Sequence, residues 1–139
     1  MTMNEKEIDE FLKNGRILKI ASISSNKPHV TPIWYVYLNG KFYISTSSKT
    51  RKVKNIKGNK NVAFSLDVGA NFADVKAVVG SGIAQIVTDS KLAREVDTKI
   101  KIKYLGSTEH PIAKKLAELD DTVIEITPTE KIGWDYSKY

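Results

Sequence analysis

The sequence predicts a mainly β (α+β) fold, a small antiparallel barrel of six to seven strands with short flanking helices. Three observations carry that expectation. β-prone runs follow one another at short intervals along 139 residues, 41% of them hydrophobic. Several are joined by turn signals, Asn39-Gly40 above all, so neighbouring strands run antiparallel. The helical patterns between them are few and short, too few for a parallel sheet with one crossover helix per strand. A chain of this length fits one domain, 1–139, with a core of its own.

Taken in order, Ile8, Phe11 and Leu12 fall on one helical face, with Asn4 placed to cap and Gly15 to stop the first helix. Arg16 to Ser24 reads as a strand, and Asn26-Lys27-Pro28 as a turn. His29 to Leu38 (HVTPIWYVYL) reads as one strongly β-prone strand, and the Asn39-Gly40 hairpin leads into Lys41–Ser45. A short helix follows and stops at Gly58; Asn61 to Val68 then alternates as a half-buried strand does. Asp74 to Thr88 predicts one long strand bent at Gly80 and Gly82. Leu92–Lys103 and Ile112–Leu119 read as helices, and Thr122–Thr127 and Lys131–Tyr136 as two closing strands.

Composition excludes several chemistries. Without cysteine there can be no structural disulfide, iron–sulfur cluster or thiolate zinc site, and neither His29 nor His110 has a second good ligand nearby in sequence, so no metal is expected. The polar, acidic N-terminus is unlike a secretory signal, and no apolar run is long enough to span a bilayer. The expectation is a soluble, cytoplasmic protein with no membrane partner. The net charge of +6 is uneven: between Glu10 and Asp67 there are basic residues and no carboxylate. Such one-sided charge points to an anionic ligand or a nucleic acid.

The stretch ISTSSKTRKVKNI, residues 44–56, narrows the choice. Lys49, Arg51 and Lys52 crowd the start of a helix, where the dipole's positive end opposes cations, at a joint cost on the order of 1–2 kcal/mol. An anion there reverses the sign of each contribution. Free amides, the dipole, the hydroxyls of Thr46, Ser48 and Thr50, and the cations would converge on one phosphate. No glycines precede the lysine as in a Walker A loop, and Gly80-Ser81-Gly82 lacks the third glycine of a dinucleotide fingerprint. A serine-capped surface helix with solvated lysines is the competing explanation. Pro32 within a strand pattern marks an edge or a bulge, which leaves backbone groups free for the polar rim of a ligand. Trp34 and Tyr35 point to opposite faces, so only one of them can approach it.

The order of motifs resembles that of the pyridoxamine 5′-phosphate oxidase-like flavin-binding split β-barrel proteins. The matching segments are Asn26-Lys27-Pro28-His29-Val30-Thr31-Pro32-Ile33-Trp34, Asn39-Gly40, Ser45 to Ile56, Asn61-Val62-Ala63-Phe64, Val78 to Val87, Lys103-Tyr104-Leu105-Gly106 and Ile126 to Asp135. Nearly the whole chain is covered. Thr50 stands where the family has serine, which keeps the hydroxyl, and Asn59-Lys60-Asn61 replaces an asparagine-proline turn. The resemblance implies a homodimer with two flavin sites at the subunit interface and a small-molecule substrate. It implies that Thr46, Thr50, Arg51 and Lys52 hold the flavin phosphate, joined by Lys49 on the charge argument above. The ring would lie along Val30, Thr31, Pro32 and Ile33. The partner would contribute Lys76 from its long strand and Trp134 from its C-terminal segment.

In such a site the cofactor carries the hydride or electron chemistry, so no acid–base triad is required and no catalytic residue can be named. His29 is a candidate proton donor, although a lone histidine is more often a polar strand residue. FMN is expected over the deazaflavin coenzyme F420, because the cradle is compact and no second basic cluster awaits a polyglutamate tail. Two other readings compete with an oxidoreductase. One is a flavin store or sensor without turnover. The other is a single-stranded nucleic-acid-binding barrel using Trp34, Tyr35, Tyr37, Phe42 and Tyr43 as stacking platforms, disfavoured because the basic residues do not run between the aromatics.

Overall fold

Asn4 opens the first helix as its sequence context requires. Its side chain accepts from the Glu7 amide (2.9 Å) and Glu7 Oε1 accepts from the Asn4 amide (3.1 Å), a complete capping box for α1 (Glu5–Asn14). The computed structural model describes residues Met1–Tyr139. Helix α1 buries Ile8 and Leu12 and ends at Gly15, where a Cβ would lie 2.3 Å from the Tyr35 hydroxyl. Strand β1 (Leu18–Ser24) turns back through Ser25 and Asn26, both at positive φ, into β2 (Lys27–Ile33). The turn therefore falls earlier than Asn26-Lys27-Pro28, because Asn26 tolerates the left-handed conformation and proline cannot adopt it.

The run His29–Leu38 is not one strand. β2 pairs only with β1, whereas β3 (Val36–Leu38) pairs only with β4 (Lys41–Ser47). With β5 at Asn61–Val68, β6 at Lys76–Ile86 and β7 at Asp121–Asp135, the sheet order is β2-β1-β5-β6-β7-β4-β3, so β2 and β3 are its two edges and only Trp34-Tyr35 separates them in sequence. A step that short can join the two edges only if the sheet curls until they approach. They do not pair, and the barrel stays split. Side chains of helix α3 (Ser90–Leu105) satisfy the backbone at the break: the Tyr35 amide donates to the Tyr104 hydroxyl (3.1 Å), and Lys103 Nζ donates to the Tyr35 carbonyl (3.0 Å).

Asn39 and Gly40 both have positive φ, as a two-residue hairpin demands. Helix α2 spans Arg51–Gly58 and β5 spans Asn61–Val68. Strand β6 spans Lys76–Ile86. Helix α3 (Ser90–Leu105) is capped by Asp89 and stops at Gly106 in the left-handed region; α4 (Pro111–Leu116) is capped by the His110 ring. The two strands expected at the C-terminal end are one, β7 (Asp121–Asp135). It pairs along all of β6, and Thr129 is the extra, bulged residue of β7 between the Ser81–Glu130 and Gly82–Pro128 pairs. A Cβ at Gly80 would lie 2.0 Å from the Glu130 carbonyl oxygen, so the close approach of the two strands there requires glycine.

The result is a mainly β, seven-stranded antiparallel split barrel with short flanking helices. Its interior core joins Leu12, Leu18, Ile20, Tyr35, Phe42, Ile44 and their neighbours. A second cluster lies outside the sheet under α3, where Val36, Tyr43 and Val123 meet Val96 and Ile100. The C-terminal aromatics dock on their own chain: Tyr136 stacks on Phe72 with centroids 4.8 Å apart, and Tyr139 meets the same ring edge-on. No helix is long and apolar enough to cross a membrane.

Candidate functional site

Helix α2 begins at Thr50, whose side chain makes no cap hydrogen bond, and its first turn contains no acidic residue. The Thr50 hydroxyl donates to the Ser47 carbonyl (2.9 Å), and the Ser48 hydroxyl donates to the Asp120 carboxylate (2.8 Å). The expectation that three hydroxyls converge on an anion is thus corrected: two are spent within the chain, and Ser48 is turned toward a carboxylate. Thr46 is buried. Lys49 and Arg51 are exposed.

Lys52 is different. It is only 9% exposed, none of the chain's ion pairs includes it, and burial pulls its ammonium below the usual lysine range. A largely buried lysine without a counter-ion, at the uncapped start of a helix, is a site whose electrostatics favour an anion. The charge asymmetry read from the sequence narrows to this place. Lys19 pairs with Asp67 (2.9 Å) and Lys41 with Glu125 (3.3 Å), so second-half carboxylates neutralise part of the first half's charge across the sheet.

Beside this cradle lies a hollow of about 510 Å³. Pro32, Ile33 and Trp34 form one wall, Thr46 and Ser47 link it to the turn before α2, and α3 and α4 lie over it. The structure thus brings Pro32 and Ile33 to Thr46, with Lys49, Thr50, Arg51 and Lys52 following within one turn of chain. On β2, Val30 is 61% exposed, and the Thr31 hydroxyl is shielded from solvent without a hydrogen-bond partner. The β2 edge that does not face β1 has no strand beside it. Lys76 and Trp134 are not part of this assembly. Lys76 pairs with Asp135 (3.7 Å), and Trp134 lies opposite Ala77 at the far end of β7 from Thr122, the residue paired with Thr46.

Trp34 stacks on Tyr104 (4.6 Å between centroids, planes within 4°), while Tyr35 is fully buried, so the two do point to opposite faces. The other aromatics weighed as stacking platforms, Tyr37, Phe42 and Tyr43, are core residues. His29 sits half-buried on β2 opposite Ser22. Lys103 reaches 3.8 Å from the Tyr35 ring centroid, and burial, helped by Arg16, brings its ammonium down to about 8. Sequence reasoning missed the polar side of the hollow: Ser45 of β4, Asp97 and Lys101 of α3, and Asp121 at the start of β7. The only available signal was the i, i+4 spacing of Asp97 and Lys101, which any solvated helix face also shows.

Three comparisons bear on this geometry. A family model described as pyridoxamine 5′-phosphate oxidase matches residues 4–135. No curated protein matches. Among solved structures, a conserved hypothetical protein of Mycobacterium tuberculosis is 26% identical, with a TM-score of 0.87 over 98% of this chain and 87% of that one. A FAD-binding protein of Mesorhizobium loti is 20% identical, with a TM-score of 0.76 over 96% of this chain and 95% of its own. A structure named F420 reductase is 25% identical, with a TM-score of 0.68 over 88% of this chain and 94% of its own.

Proposed function

This chain belongs to the pyridoxamine 5′-phosphate oxidase family, and on that premise we propose that it is an FMN-binding oxidoreductase working as a homodimer on a small-molecule substrate. The observation that carries the reading is Lys52, a largely buried lysine with no ion-pair partner at an uncapped helix start. The residues at the site suit such a group. Lys52, Arg51 and the first-turn amides of α2 would hold its phosphate, with Lys49 adding positive charge and Thr46 and Thr50 shaping the turn. The open edge of β2, from Val30 to Ile33, would supply backbone donors and acceptors to the polar rim of the ring.

When bound, a flavin supplies hydride or electron transfer; the chain positions it and excludes water. Lys76 and Trp134 lie away from Thr46 within one chain, so any part they take in the site is through a second copy. Exposed Val30, Phe72 and Ile132 are apolar surface that a second copy would cover. FMN is preferred to F420 because no second basic cluster lies beside the cradle. The solved relative named F420 reductase keeps the deazaflavin as the second reading.

The test is Arg51→Ala, followed by quenching of flavin fluorescence. Arg51 is exposed and makes no ion pair, so the fold should be unaffected. FMN affinity should fall by about 1.5–3 kcal/mol, the worth of a hydrogen bond to a charged group. An affinity within about twofold of the parent chain, a difference under 1 kcal/mol, would rule out the phosphate assignment.

A further inference from the structure

We propose that the hollow beneath α3 and α4 is the substrate side of this site, and that it selects small molecules joining an apolar or aromatic body to a protonated amine while rejecting carboxylates and phosphates. The word "substrate" rests on the flavin reading above; the ligand preference rests on this chain's own residues.

The apolar part comes from both sides. Pro32, Ile33 and Trp34 line one wall, and Ile100, Leu116 and Leu119 the other. Leu119 is 56% exposed and Ile112 45% exposed although both line a concavity, so the apolar surface is present and uncovered. The polar part is acidic on balance. Lys101 is 8% exposed, and its Nζ lies 2.6 Å from Asp97 Oδ2, so its charge is already matched. Asp121 is exposed and makes no ion pair. Partial burial and the neighbouring Asp97 hold its carboxyl above the usual range, with Asp120 adding to the effect and Lys101 opposing it.

The Ser45 hydroxyl lines the same hollow, shielded from solvent and without a hydrogen-bond partner. A bound ammonium would pair with Asp121 and reduce the repulsion between carboxylates, and an anion would increase that repulsion. The Ser45 hydroxyl, donor and acceptor alike, could serve either. Arg51 and Lys52 are not among the lining residues; Arg94 lines an adjoining hollow that shares Ser45, Asp97, Lys101 and Asp121 with this one. The cradle at α2 presents cations without ion-pair partners, whereas the lining of the hollow holds two carboxylates to one ammonium.

The chain contains two tryptophans, which gives a local reporter: the indole N–H of Trp34 on the wall of the hollow and that of Trp134 away from it. The protein is labelled with nitrogen-15 and titrated with 2-phenylethylamine, 2-phenylethanol and phenylacetate, with and without FMN. The amine should move the Trp34 signal, leave Trp134 in place and bind about tenfold or more tighter than phenylacetate. Asp121→Asn should remove most of that advantage. Leu119→Lys, at the exposed mouth, should raise phenylacetate affinity, and it serves as the second variant should Asp121→Asn misfold.

Equal or tighter binding of phenylacetate, an amine preference that survives Asp121→Asn, or no probe moving Trp34 would each overturn the inference. Failure of FMN to bind while the amine preference holds would remove the flavin reading alone. FMN binding without an amine preference would remove this one alone.

Discussion

Lys52 shows how one residue can be a liability for the empty fold and an asset for the occupied site. Its side chain is largely buried and makes no ion pair, so the chain without an anion bears a partly desolvated, unpaired charge. Lys52→Met should therefore raise the apo protein's stability by about 1 kcal/mol while weakening FMN binding about tenfold or more. Denaturant melts and flavin titration, run on the same samples, check the opposed signs. Lys103 makes a second prediction. Its folded value of about 8 lies below the ordinary 10.5, so from about pH 8 to 10.5 the unfolded chain holds more protons than the folded one. Stability should rise with pH across that window in the parent chain relative to Lys103→Met. A parallel pH dependence in the two would show that Lys103 is not desolvated in solution.

Among the elements, β6 and β7 carry the longest pairing, interrupted once at Thr129, and their contact depends on a missing side chain. Gly80→Ala would place a methyl 2.0 Å from the Glu130 carbonyl oxygen and 2.6 Å from the Phe64 ring. Neither backbone nor ring can yield cheaply, so a loss of about 3 kcal/mol or more is expected in a thermal or denaturant melt. Elements governed by local chemistry were legible in the sequence. The α1 capping box, the Asn39-Gly40 turn and the span Asn61–Val68 all appear where neighbouring residues specify them. Elements governed by distant pairing were not. Nothing local in Trp34-Tyr35 says that the chain leaves one sheet edge there and joins the other, since Tyr104 and Lys103 of α3 satisfy the break. Nor does Thr127–Lys131 announce that β6 will hold it in a single strand.

At the level of the whole molecule, the two edges of one sheet come together without pairing, and the site forms beside that opening. The same curl leaves Val30, Phe72 and Ile132 in solvent and sets Lys76 and Trp134 away from the cradle. The proposed homodimer would account for both facts. The 15.5 kDa chain should run at twice its mass in light-scattering measurements, and one FMN should bind per chain. A monomer that binds FMN with full affinity would remove the partner's role. The cradle half of the site was visible in sequence because its residues are contiguous, from Thr46 to Lys52. The acidic hollow was not, because Ser45, Asp97, Lys101 and Asp121 come from β4, α3 and the start of β7.

By itself the sequence determined the local grammar: caps, hairpin turns, strand alternation, the cluster of cations before α2 and the order of family motifs. Each depends on residues a few positions apart, whose conformational preferences act before the chain folds. The tertiary structure alone decided which of those cations was largely buried without an ion-pair partner, which hydroxyls were already spent, and which carboxylates would face the hollow. Desolvation and charge pairing are properties of space, and only the closing of the barrel brings the groups that set them within reach of one another.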